Sequence, residues 1–132
     1  MSNTHDVQLT ATKNGNTVNI SGPGGANLPP CSGAHHFNFI LDDPTGLEVR
    51  FEALDTADSC STCPPPAGQN SQQIVGYRRR NHETPKKASF TDNNNNRAAD
   101  GPMDVSYQLN FSCNNSAVTV LPYDPIIING GQ

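Results

Sequence analysis

Cys60 and Cys63, with His35, His36, His82 and Cys31 elsewhere in the chain, are the residues best equipped for chemistry. Cys-x-x-Cys can place two thiolates on one zinc ion, and a tetrahedral site needs two further ligands, for which His35 and His36 are candidates. A second Cys-x-x-Cys would make the pattern specific, and none occurs. A thioredoxin-like redox pair is disfavoured, because that chemistry needs the motif at a helix N-terminus and here three prolines follow it. Zinc ligands, a disulfide and plain thiols all remain open readings. If His35 and His36 begin a strand, they point to opposite faces, so one is half-buried and hydrogen-bonded while the other is exposed. No Ser-His-Asp arrangement has supporting context. Asp43, Asp55, Asp58, Asp92, Asp100 and Asp124 fall in turns and loops, where carboxylates can serve calcium. Without an Asp-x-Asp-x-Asp spacing, turn-making is their ordinary role.

Two further clusters bear on partners. Arg78, Arg79, Arg80, Lys86 and Lys87 lie within ten positions that contain a single acid, Glu83. Such a segment can grip an anionic partner, or guard an edge strand against aggregation. On a strand Arg78 and Arg80 share one face and Arg79 takes the other. Nucleic acid is a poor match, since the chain is acidic overall, with net charge −4, and has few aromatic residues for base stacking. Ile126, Ile127 and Ile128 cannot all face one core. Either both faces of that strand are covered, or one meets a second copy in an oligomer.

These residues are positioned by short strands. Val105, Tyr107, Leu109, Phe111 and Cys113 alternate with polar residues, which is the period of a half-buried strand. Asn114-Asn115 then suits a two-residue turn pairing Phe111 with Val118 and Leu109 with Val120. Asn14-Gly15 joins Val7–Lys13 to Asn16–Ser21, pairing Ala11 with Val18 and Leu9 with Ile20. Asp43-Pro44-Thr45-Gly46 suits a type I turn closed by a left-handed glycine, joining His35–Leu41 to Leu47–Leu54 with Phe39 opposite Phe51. Residues 72–80 read as a fifth strand and 88–91 as a short sixth, with polar loops at 55–71 and 92–102.

A chain of 132 residues forms one domain, 1–132, with residues 1–6 as a loose arm. Eleven glycines and eleven prolines, with no sustained helical period, select an all-β protein. The expected fold is an immunoglobulin-like antiparallel β-sandwich of seven to eight strands with Greek-key connections. No apolar run is long enough to span a bilayer. The N-terminal MSNTHDVQLT has no apolar core of a secretion signal, which makes a cytoplasmic location the expectation.

The tail Tyr123-Asp124-Pro125-Ile126-Ile127-Ile128-Asn129 resembles the C-terminal end of small bacterial proteins of the DP-EP family. That resemblance implies an immunoglobulin-like sandwich and supplies no functional residues. The chain has no Glu-Pro dipeptide; its nearest counterpart is Glu83-Thr84-Pro85. The functional expectation is a non-enzymatic interaction module that binds a macromolecular partner, a protein or a second copy, through loops or edge strands. A zinc or thiol protein built on Cys60 and Cys63, and a subunit of a homo-oligomer joined through the Ile-rich strand, are the alternatives.

Overall fold

The computed structural model describes residues 3–59, 65 and 69–132. In chain order the strands are β1 (Thr4–Asn14), β2 (Thr17–Ser21), β3 (Ala26–Leu28), β4 (His35–Asp42), β5 (Arg50–Asp58), β6 (Ile74–Arg80), β7 (Lys86–Asp92), β8 (Met103–Ser112), β9 (Thr119–Val120) and β10 (Ile126–Asn129). One six-stranded sheet has the order β6-β7-β4-β1-β2-β9 and one four-stranded sheet the order β3-β10-β8-β5. A single 3-10 turn, Ala98–Asp100, precedes β8. Among the described residues no helix is long and apolar enough to cross a membrane.

The inward faces follow from alternation. Val7, Leu9 and Ala11 of β1 lie beside Phe37, Phe39 and Leu41 of β4, and Ala88 and Phe90 of β7 complete that wall. Phe51, Val105, Tyr107, Leu109 and Ile127 face them from the other sheet, all 2% exposed or less, so the two walls exclude water between them. Tyr107 is the ring that joins the layers. It meets Phe90 edge-on at 5.1 Å and Phe39 at 5.9 Å. Its phenol is pushed up in pKa by burial. The neighbouring Tyr123 hydroxyl donates to the carbonyl of Pro23. Gly25 lies where β3 approaches β10, and a Cβ there would overlap the Ile126 carbonyl.

An all-β sandwich is what the sequence predicts, but its pairing differs. Among the described residues ten strands form rather than seven or eight, and the sheets are mixed: β1 with β4, β2 with β9 and β3 with β10 run parallel. Residues 4–6, expected in a loose arm, belong to β1, where they pair with His36, Phe37 and Asn38. The first hairpin turns on Gly15-Asn16 rather than Asn14-Gly15, so Ala11 pairs with Ile20 and Lys13 with Val18. Of the two turn residues only Gly15 has a positive φ, 62°, as a type II′ turn requires. The slip leaves every side chain on its expected face.

The other two expected hairpins do not form. Both edges of β4 are taken by β1 and β7, so the chain crosses at 43–49 into the other sheet, where β5 pairs with β8. Phe39 and Phe51 therefore lie in opposite layers. The crossing loop is held by the Asp43 carboxylate, which accepts from the Thr45 and Val49 amides at 3.1 and 2.9 Å, and Gly46 is left-handed as expected. Likewise Thr119 and Val120 pair with β2 in the six-stranded sheet, and Leu109 bridges Tyr123 instead of Val120.

Where β6 passes over the edge of β5, the layers are latched by side chains. The Asn81 carboxamide accepts from the Phe51 amide at 2.9 Å and donates to the Phe51 carbonyl at 3.0 Å. It thereby occupies the positions a neighbouring strand would take. Beside it the Tyr77 hydroxyl donates to the Glu52 carbonyl at 2.7 Å, and burial pushes its pKa up to about 12. Asn81→Ala removes both bonds to Phe51 and is expected to cost about 2 kcal/mol. The readout is the urea midpoint at unchanged slope. A midpoint equal to that of the wild type would show that water substitutes for the latch.

Candidate functional site

Strand β6 is an edge of the six-stranded sheet, and its pairing with β7 is interrupted by a bulge between Val75 and Arg78. Gly76 makes the bulge possible with a φ of 71°. Beyond it the register places Arg78 beside Ser89, Arg79 beside Ala88 and Arg80 beside Lys87. Ala88 is core, so Arg79 points inward past the sheet edge and pairs with Glu52 at 3.4 Å. Lys86 pairs with Glu48 at 3.4 Å. Arg78, Arg80 and Lys87 take the outer face. The five-residue basic cluster thus divides by strand alternation, as anticipated for the three arginines.

On that outer face Arg78 and Arg80 rim a shallow groove of about 400 Å³ floored by His36, Asn38, Ser89 and Thr91. His36 is exposed, and its Nδ1 is hydrogen-bonded to Thr91 Oγ1 at 2.8 Å. Asn38 donates to the Asp6 carboxylate at 3.2 Å. Glu83 is the acid nearest the guanidinium side: it pairs with Arg80 at 3.6 Å and Lys87 at 3.9 Å. Arg78 forms no ion pair among the described residues. The groove therefore presents guanidinium N–H groups, hydroxyls and a carboxamide to whatever lies on it, the donor set of a carboxylate or other oxyanion. Asn38, Ser89 and Thr91 were not singled out from the sequence. The period-two alternation of β4 and β7 would have placed them on the face of His36, but only the order β6-β7-β4 brings that face to Arg78.

Cys60 and Cys63 lie outside the described residues. His35 and His36 diverge as expected, and His35 is more deeply buried than half, at 4% exposure. Both its ring nitrogens are engaged: Nδ1 with His5 Nε2 at 2.9 Å and Nε2 with Ser32 Oγ at 2.8 Å. Ser32 Oγ donates to the Pro29 carbonyl at 2.6 Å, so it must accept from His35 Nε2–H, which leaves Nδ1 to accept from His5. Among the described residues no three His, Cys, Asp or Glu side chains gather as a metal set. Cys31 is exposed, and Cys113, on the apolar side of the alternation, is only partly covered.

Ile126, Ile127 and Ile128 occupy β10, which is flanked by β3 and β8. Its backbone edges are both paired, so a second copy cannot add a strand there. Ile127 is core, and Ile128, 38% exposed, is on the outer face. A cleft of about 750 Å³ separates the 42–49 and 81–86 turns and is lined by Asp42, Glu48, His82, Glu83 and Lys86.

No protein-family model matches the chain, and no curated protein matches it.

The histidine chain carries a pH prediction. Burial, then the His5 and His36 charges, lower the His35 pKa below 6.5. The unfolded chain therefore takes up the proton first, and stability falls as pH drops through 6.5, levelling at the folded pKa. Asp92, directly across from His35, acts in the opposite sense: burial raises its carboxyl, so lower pH relieves a cost. Urea midpoints from pH 8 to pH 5 are expected to decline less in His35→Gln than in the wild type. Parallel curves would show that His35 does not titrate differently in the folded state.

Proposed function

We propose that this chain is a non-enzymatic, immunoglobulin-like interaction module whose β6 edge and adjoining outer face receive an extended acidic segment of a protein partner. The observation that carries the reading is the alternation along β6. It turns Arg78 and Arg80 outward over hydrogen-bonding side chains and spends Arg79 on Glu52. An acidic strand laid along the edge would take backbone hydrogen bonds from β6 and present alternate carboxylates to the two guanidinium groups. Exposed Val75, at 44%, adds apolar contact beside the bulge. The same charges disfavour pairing of one β6 with another, so they select an acidic partner over a second copy.

The test is fluorescence anisotropy with a labelled peptide of alternating Glu and Val at low salt. The wild type is expected to bind, and Arg78→Gln/Arg80→Gln to lose about tenfold or more in affinity. Arg79→Gln, which removes an equal kind of charge from the other face, should change affinity less than about twofold. Absence of wild-type binding would overturn the proposal, as would an Arg79→Gln loss equal to that of the outer pair.

A further inference from the structure

The inward face of β7 continues past the end of the strand. Ala88, Phe90, Asp92, Asn94 and Asn96 are buried at alternate positions. The first two are core, and the last three join Gln73 and Asn129 in a polar plug that closes one end of the sandwich. Hydrogen bonding within the plug is one-sided. Asp92 Oδ1 accepts from the Asn94 amide at 2.9 Å and from Asn129 Nδ2 at 2.8 Å. Gln73 Oε1 accepts from the Asn95 amide at 2.9 Å, and Asn96 Nδ2 donates to the Asn129 carbonyl at 3.4 Å. Asp92 Oδ2, Asn96 Oδ1 and Asn129 Oδ1 have no donor among the described residues, and Asp92 and Asn129 are 0% exposed. All three are acceptors, and Gln73 Nε2, which forms no hydrogen bond among the described residues, is beyond hydrogen-bond reach of each of them. Flipping a carboxamide makes matters worse, since it sets Asn129 Oδ1 against the Asp92 carboxylate or Asn96 Oδ1 against a carbonyl.

Charge is equally one-sided. No Lys or Arg pairs with Asp92 among the described residues, and the Asp58 carboxylate is close enough to add negative potential. Asp58 is itself engaged by the Ser71 hydroxyl and by the Gln72 amide at 2.6 Å. A buried carboxylate without a cation is expensive.

We propose that the plug binds a hard divalent cation of the calcium class, with Asp92 Oδ2, Asn96 Oδ1 and Asn129 Oδ1 as its side-chain ligands. The donor set is all oxygen, one carboxylate with two amides, which suits Ca²⁺ and its adaptable coordination better than softer metals. Asn96 also lines an open cleft of about 440 Å³ with Ser59, Asp100, Met103 and Asp104. That cleft supplies a route from solvent and the Asp104 carboxylate to attract the ion, while Asp100 there is paired with Arg97 at 3.9 Å. The three ligands come from the end of β7, the segment after it and the end of β10, so binding ties these elements together and contributes to folding.

The rival account is a neutral Asp92 carboxyl group, and one substitution separates the two. Protein freed of metal with EDTA, and verified by native mass spectrometry, is titrated with CaCl₂ at pH 7.5 while its melting midpoint is followed. The wild type is expected to gain one Ca²⁺ and to melt about 10 °C higher at a hundredfold excess over Kd. Asp92→Asn should abolish the gain. Asn96→Asp, which adds a carboxylate, should enlarge it, and it decides the matter if Asp92→Asn does not fold. A wild-type midpoint that millimolar Ca²⁺ leaves unmoved overturns the proposal whatever the variants do. So does a full response in Asp92→Asn, which would place the ion elsewhere, or an Asn96→Asp response no larger than that of the wild type.

Discussion

The end of the sandwich from which β4 departs depends on one buried carboxamide. Asn94 is 0% exposed and left-handed, with a φ of 48°. Its Nδ2 reaches the Pro29 carbonyl, Ser32 Oγ and the Gly33 carbonyl, each at 3.2 Å, and its Oδ1 accepts from the Gly131 amide at 2.8 Å. Those contacts span 61 to 65 positions toward the N-terminus and 37 toward the C-terminus. The 29–33 loop and the C-terminal segment, whose backbone polar groups would otherwise be buried unpaired, are satisfied by a single side chain. Asn tolerates the left-handed backbone that this needs, and few other residues do. Once the end is closed by amides, His35 and Asp92 can lie directly across from each other on the inward face without opening the core to water.

The long sides are secured differently. At the β5 edge the Asn81 carboxamide stands in for a strand, and Tyr77 adds a second tie. These contacts cover a backbone row that would otherwise offer itself to any passing chain. Among the described residues the β6 edge has no such cover, only a bulge and arginines. One edge is thus blocked by an amide and the other marked by charge.

Local patterns were legible wherever two faces differ in polarity. The inward sets of β1, β4 and β8, the left-handed Gly46, the divergence of His35 from His36 and the division of Arg78 and Arg80 from Arg79 all follow from period-two alternation or turn chemistry. Pairing was not legible for β4 with β5 or β8 with β9. An inward apolar face is equally well buried by a neighbour in its own sheet or by the opposite sheet, and alternation does not distinguish the two. The run Asp92–Asn96 misled for a related reason. It continues the inward period of β7 without interruption, yet its residues are polar, and polarity taken alone reads as a solvated loop.

Sequence alone settled that the protein is all-β, which side chains face inward on β1, β4 and β8, and that the basic residues near 80 split between faces, because these depend on the two-residue repeat of an extended chain; β5 escapes that repeat, since its bulge past Phe51 leaves Ala53 exposed. Tertiary structure alone decided which strands are neighbours, that three pairs run parallel, and that Asn38, Ser89 and Thr91 come to lie under Arg78. It also decided that Asp92, Asn94, Asn96 and Asn129, drawn from segments more than 30 residues apart, share one buried plug. Such proximity is set by how two layers stack and where the chain crosses between them, and no local repeat encodes that.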